Sequence, residues 1–306
     1  QGLETMVVPL EEIYDEFGGG LKSTQAIKDY LQYAFREWSA APQFALLVGD
    51  ASEDTRGLSD ISQPDYIPTY MNAGSFSYPQ LTASDQWYIS SDEGNLYLPF
   101  MFIGRLPVSG TGELSTLVSK IMTYENDEVT GDWRGNVMFI ADDQWHYGAP
   151  GGDYFWSFSE RLFTNVFVDT VNGLAPMVSS SPAGLDTTVF ALRRYTTPFH
   201  ESNGVGQETQ PYSYFVQVYN FVRSSVTPEL IGQLSESASI VTFQGHGNRT
   251  QMTHEQLLQA PFREDFNDIV DIRNAGRPFI FLGFSCHLAQ FHSYQEGSAS
   301  GVESIT

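Results

Sequence analysis

Residues 239–247 read SIVTFQGHG, and residues 278–286 read PFIFLGFSC. Each is a short, nearly continuous apolar run, the pattern of a parallel strand buried on both faces. Each also ends in a chemically reactive side chain, His246 in the first and Cys286 in the second. Reactive groups in parallel α/β sheets collect just beyond the carboxyl ends of the strands. If these two strands are neighbours, the imidazole and the thiol emerge at one edge, roughly 5 Å apart in the hydrogen-bonding direction.

Working outward, the same grammar repeats. FALLVGD (44–50), PFMFIGRLP (99–107) and NVMFIADD (136–143) read as further apolar strands. Between them, Ala26, Ile27, Tyr30, Leu31, Ala34 and Phe35 recur at helical spacing after a capping Ser23 or Thr24, which predicts a helix over 24–38. Leu114, Leu117, Val118, Ile121 and Met122 predict another over 113–125, with one apolar face. Further helices are expected near 153–166, from the Thr-Pro start at 227, and around 254–275. MVVPLEEIYDEF (6–17) reads as a strand over 6–10 running into a loop closed by three glycines. Strand and helix alternate throughout, so the fold class is α/β with largely parallel sheets. We expect an N-terminal α/β subdomain over 1–135 and a catalytic subdomain over 136–306. The long segments 51–98 and 174–225 are expected to be irregular, the second of them an aromatic-rich insertion.

Composition narrows the function. The 306 residues carry 37 acidic against 15 basic side chains, a formal charge of −22. Such a surface repels phosphate backbones and anionic lipid, so nucleic acid and membrane surfaces are poor partners. No apolar run is long enough to span a bilayer. A single cysteine excludes an intrachain disulfide and a paired-cysteine metal or redox site.

A lone cysteine at a strand end also fits an inert buried residue, and His-Gly pairs are common where chains turn. Together on consecutive strands they point to acyl transfer. That chemistry needs a thiol, a base that later protonates the leaving amine, and donors aimed at the oxyanion. His246 supplies acid/base function near neutral pH. Gly247 lets its N–H approach a carbonyl oxygen unobstructed, with the Cys286 N–H as second donor.

Gly-His-Gly ending one strand and Ser-Cys ending the next resemble the dyad of the caspase-like clan of cysteine peptidases. The remaining motifs are similar to the gingipain family within that clan: EEIYDEFGGG, FALLVGD, ASDQWY (83–88), FIGRLPV (102–108), the helix 113–127, 226–248 and RPFIFLGFSC (277–286). The resemblance implies a caspase-like three-layer sandwich of mostly parallel sheets flanked by helices, truncated at both ends, with a second chain or segment completing the domain. It implies an endopeptidase acting on protein or peptide through a thioester, with Cys286 as nucleophile, His246 as general acid/base, and the Gly247 and Cys286 amides as oxyanion hole. A family carboxylate that supports the histidine matches Asp153, with Asp142 and Asp143 as substitutes; capping of the following helix is an equal account of Asp153. No cofactor is required for catalysis. Structural Ca²⁺, which many relatives bind, could sit at Asp92-Glu93, although solvated surface charge accounts for those residues as well. Secretion, or display on a bacterial cell surface, is the implied location. Two other readings stay open: a sortase-like transpeptidase of a secretion system, and a catalytically silent scaffold using the aromatics around 211–221.

Other conspicuous residues have quieter readings. His254 and His292 read as surface, and His287 as pointing away from Cys286. Asp50 and Asp85 read as loop anchors through backbone N–H groups, and Arg105 as the structural partner of a carboxylate.

Overall fold

Pro9 turns the first apolar segment into a helix start rather than the strand expected there. In the computed structural model, residues 3–9 are without regular structure and helix α1 runs Leu10–Gly18. Glu11 and Glu12 lie in its first turn, where the helix dipole favours negative charge. Gly19, at φ 60°, closes it by donating its N–H to the Tyr14 carbonyl. The structure describes residues 3–55, 64–73, 81–92, 95–126, 130–147, 154–156, 158–182, 184–206, 208–236, 238–248, 250–260, 267–286 and 288.

Two compact units have their main bodies at Gln1–Val118 and Ser119–Gln290. In the first, α1 packs with helix α2, Thr24–Glu37, whose Ser23 cap accepts the Gln25 N–H at 3.1 Å. Strand β1, Phe44–Val48, pairs in parallel with β2, Phe102–Leu106. Leu47 faces the core of this unit, while Phe44, Leu46, Val48 and Phe102 are exposed. The segment expected to be irregular between these strands contains two short hairpins, Tyr70–Ala73 with Leu81–Ser84 and Ser90–Asp92 with Asn95–Pro99. Helix α3, Thr111–Glu125, forms where its periodicity predicts, yet none of its residues is buried.

The second unit is built on β3, Asn136–Ala141. Helix α4, Phe158–Ser179, leads to β4, Asp186–Ala191, which pairs with one side of β3. Helices α5 (Arg193–Ser202), α6 (Tyr212–Phe221) and α7 (Thr227–Glu236) then lead to β5, Ile240–Gln244, on the other side of β3. Strand β6, Ile280–Phe284, adds beyond β5. The sheet order is β4-β3-β5-β6, all parallel.

Alternation along β3 sorts the layers. Val137, Phe139 and Ala141 pack with Val168, Val171 and Ala175 of α4. Met138 and Ile140 pack with Val218, Leu230 and Leu234 from α6 and α7. These three layers therefore rest on side chains of period two in the strands and helical stripes above and below. The stretch 174–225, expected to be irregular, holds the end of α4, β4, α5 and α6. Its aromatics Tyr214 and Phe215 are buried in the core. Around 254–275 the expected helix gives way to turns, a short strand Leu258–Gln259 and a 3-10 turn Asp268–Asp271. Among the described residues no helix is long and apolar enough to cross a membrane.

One buried titratable group belongs to this core. His200 is 3% exposed, stacks 4.1 Å from the Trp145 ring and shares a 2.9 Å hydrogen bond between Nδ1 and the Tyr214 hydroxyl. Burial lowers its pKa to about 4. Above pH 6.5 the ring is neutral in folded and unfolded chains alike. As pH falls further, the unfolded ring takes up a proton that the folded ring refuses until about pH 4. Stability from this residue is therefore complete above pH 6.5 and falls by up to about 3 kcal/mol across that window. Denaturant melts of the parent protein and of His200→Phe, compared from pH 7 to pH 4, should show the gap between them closing or reversing toward pH 4; a constant gap refutes the assignment.

Candidate active site

The order of strands places the chemistry. From β3 the chain moves to one side to form β4 and then returns to the other side to form β5, so connections diverge at β3 and β5. A crevice opens at such a switch point, beyond the carboxyl ends of the strands. Directly after β3 come Asp142 and Asp143, after β5 come Gly245, His246 and Gly247, and after β6 come Ser285 and Cys286.

Pairing continues past the formal strand ends. The Asp142 N–H donates to the Gln244 carbonyl at 3.1 Å, and the Gly245 N–H to the Phe284 carbonyl at 3.4 Å. Gln244 is level with Phe284, and His246 and Cys286 each follow two residues beyond those paired positions. The loop is tight. A Cβ on Gly245 would lie 2.5 Å from the Asp142 Cβ, and one on Gly247 would lie 2.5 Å from the Ser285 Oγ. Gly247 thus brings the histidine loop against the Ser285-Cys286 turn, and Cys286 is exposed.

Asp142 is the anchor of this loop. Its Oδ2 accepts the His246 N–H at 2.8 Å and its Oδ1 accepts the Asp143 N–H at 2.8 Å. Asp143 Oδ1 accepts the Trp145 N–H at 2.9 Å. Both carboxyls are 1% exposed. Burial, and for Asp142 the adjacent Asp143 charge, hold their pKa values well above the usual carboxylate range; the charge of His246 opposes this. Glu255, 0% exposed, completes a trio whose ligand atoms lie within 4.8 Å of one another. That spacing would suit a cation, but three of the four aspartate oxygens already accept backbone N–H groups: both on Asp142, and one on Asp143. Ca²⁺ asks for six to eight oxygens, and this set does not fit it. Asp142 and Asp143 of this trio are the acidic environment of His246.

Of the residues singled out in the sequence, Asp142 holds the His246 backbone and the Asp143 N–H, and Gly247 lies against Ser285, the chain neighbour of Cys286. Asp153, His287 and His292 lie outside the described residues, as do Glu93 and the Asp92 side chain. His254, expected on the surface, is half-buried with its ring centroid 4.7 Å from that of His246. Neither it nor Glu255 was legible, because the segment has no periodicity that would reveal a face.

In the first unit, Arg105 has the structural role expected of it. Its Nε and Nη2 bind Asp85 at 2.6 and 2.8 Å, and Nη1 donates to the Gly49 and Ile67 carbonyls at 2.8 Å each. Asp50 accepts the Ala51 N–H and the Ser109 hydroxyl.

Comparison with known proteins bears on this arrangement. The profile of peptidase family C25 matches residues 1–305. No curated protein sequence matches the chain. Among solved structures, the chain is similar to the Arg-specific cysteine proteinase gingipain R (RGPB), at 17% identity and a TM-score of 0.53, covering 88% of this chain and 46% of that one. It is similar as well to the complex of the pro- and mature domains of Porphyromonas gingivalis RgpB, at 17% identity and a TM-score of 0.53, covering 93% and 50%. The chain spans about half the length of these structures, and at this identity the likeness is one of fold.

Proposed function

The chain belongs to peptidase family C25, with the caspase-like fold of mostly parallel sheets flanked by helices, and from that premise we propose that it is a cysteine endopeptidase working through Cys286 and His246. The observation that carries the reading is the Gly245-His246-Gly247 loop seated against the Ser285-Cys286 turn, at the ends of adjoining strands.

In this reading the Cys286 thiol gives its proton to the His246 imidazole as sulfur attacks the scissile carbonyl. The carbonyl oxygen takes the negative charge and is met by the N–H groups of Gly247 and Cys286. The imidazolium then donates its proton to the leaving amine, the C–N bond breaks and a thioester remains. Water, deprotonated by His246, attacks the thioester, releasing the acid and returning the proton to sulfur. Asp142 is the positioning carboxylate, since it holds the backbone of His246 where the ring can face Cys286. No cofactor takes part. Substrates are proteins or peptides met outside the cell or on its surface.

The test is alkylation of Cys286 by iodoacetamide near neutral pH. Rapid labelling, slowed at least tenfold in His246→Ala, supports the dyad. A thiol that reacts only after denaturation, or equally fast in both proteins, refutes it.

A further inference from the structure

His254 sits half-buried beside His246, and the chain is strained to keep it there. Thr253 has φ 64° and Gln256 φ 59°, the non-glycine residues at positive φ among those described. A β-branched residue rarely adopts that conformation and persists in it only when its surroundings over-determine it. Here they do. The Thr253 N–H donates to the carbonyl of His246 itself at 2.8 Å, the Leu257 N–H donates to the Met252 carbonyl at 3.0 Å, and the Thr227 hydroxyl donates to the Leu257 carbonyl at 2.8 Å. Met252, Thr253, Glu255 and Leu257 are all buried, so the two sides of His254 are pinned while its ring stays half-accessible. The outcome is an imidazole tilted 51° to that of His246 at 4.7 Å.

We propose that His254 is a positioning residue of the active site, which braces the His246 imidazole and shares with it a single positive charge. The proposal rests on the peptidase reading for its catalytic consequence, but not for the coupling itself. Two imidazolium rings at this separation repel, so protonation of one disfavours protonation of the other. The charged groups that act on His246 are Asp142 and Asp143 at the end of β3, with Arg193 acting on Asp143; Glu255, on the segment of His254, lies beside the two aspartates, and Cys286 follows the end of β6. The carboxylates draw one proton onto the pair, and the mutual repulsion keeps out a second. His246 can then be neutral, ready to accept the thiol proton, while His254 holds the charge that favours thiolate.

The experiment follows the ring Cε1–H resonance of His246, assigned with His246→Gln, through a pH titration of the protein and of its His254→Phe and His254→Ala variants. Phenylalanine keeps a ring against His246 and removes the competing charge. His246 should titrate higher in both variants, by between about half a pKa unit and two units for like charges at this distance. In a peptidase assay the acid limb of kcat/KM should move to higher pH by the same amount in His254→Phe. In His254→Ala kcat should fall about tenfold further with little change in KM, because the brace is lost as well. Should the alanine variant fail to fold, His254→Phe alone carries the test. A His246 titration unchanged in a folded variant overturns the proposal whether or not the protein cleaves peptides. A shifted titration in a protein that shows no peptidase activity supports the coupling and instead overturns the reading of the preceding section.

Discussion

Cys286→Ala should lower kcat/KM for peptide hydrolysis by a factor of about 10³ or more, and His246→Ala should do nearly as much damage. The argument is one of mechanism. Without sulfur no thioester forms, and without the imidazole nothing takes the thiol proton or returns it to the amine. The chain contains no second cysteine to substitute. Because the two groups act as one unit, the double variant should be scarcely slower than either single variant. The flanking amides of Gly247 and Cys286 are backbone and survive both replacements, so a small residual rate above water is expected. Initial rates on a mixed fluorogenic peptide library settle the matter. Full activity in Cys286→Ala would remove the nucleophile from the proposal altogether.

The second large effect concerns stability. Arg105 has a side chain only 4% exposed, bound through Nε and Nη2 to Asp85, itself 13% exposed, through Nη1 to the carbonyls of Gly49 and Ile67, and through Nη2 also to that of Pro68. Arg105→Met fits the volume but leaves one carboxylate without its cation and removes the Arg105 donor from the Gly49 and Ile67 carbonyls, while Pro68 keeps the Tyr88 hydroxyl. Breaking a buried pair in this way costs roughly 3–5 kcal/mol, a large part of the stability of an ordinary domain. Lysine cannot rescue it, since an ammonium has no planar fork to meet Asp85 and the carbonyls together. Asp85→Asn added to Arg105→Met should restore part of the loss by removing the stranded charge. Urea melts followed by tryptophan fluorescence report on this region through Trp87, which stacks 4.2 Å from Tyr70 beside the network. An unchanged midpoint in Arg105→Met would show that the network is ornamental.

What could be read in advance follows from which signals are local. Strands β1, β3, β5 and β6 announce themselves as short, mostly apolar runs at residues 44–48, 136–141, 240–244 and 280–284; β3 and β5 are covered on both sides, whereas β1 and β6 keep apolar side chains exposed. The reactive ends of β5 and β6 were legible for the same reason: a histidine and a cysteine stand out against such a background. Residues 6–10 misled because Val7, Val8 and Leu10 suit a strand, while the start of α1 depends on Pro9 and two glutamates acting through the helix dipole. The stretch 174–225 looked irregular because Pro176 and Pro198 fall inside helices and the aromatics obscure the apolar period. The place of His254 and Glu255 is set by two residues at positive φ and by hydrogen bonds to distant partners. Nothing in their neighbours along the chain encodes that. Likewise, the role of Asp142 as the anchor of His246 depends on chain 104 positions further on returning to β3.

The crowding around Gly245 and Gly247 bears on how this site can evolve. At Gly245 a first side-chain carbon would meet the Asp142 Cβ, which cannot give way without moving the strand end, whereas at Gly247 it would meet the ends of the Ser285 and Leu288 side chains, which can turn aside. Substitution in this loop should therefore be tolerated least at Gly245.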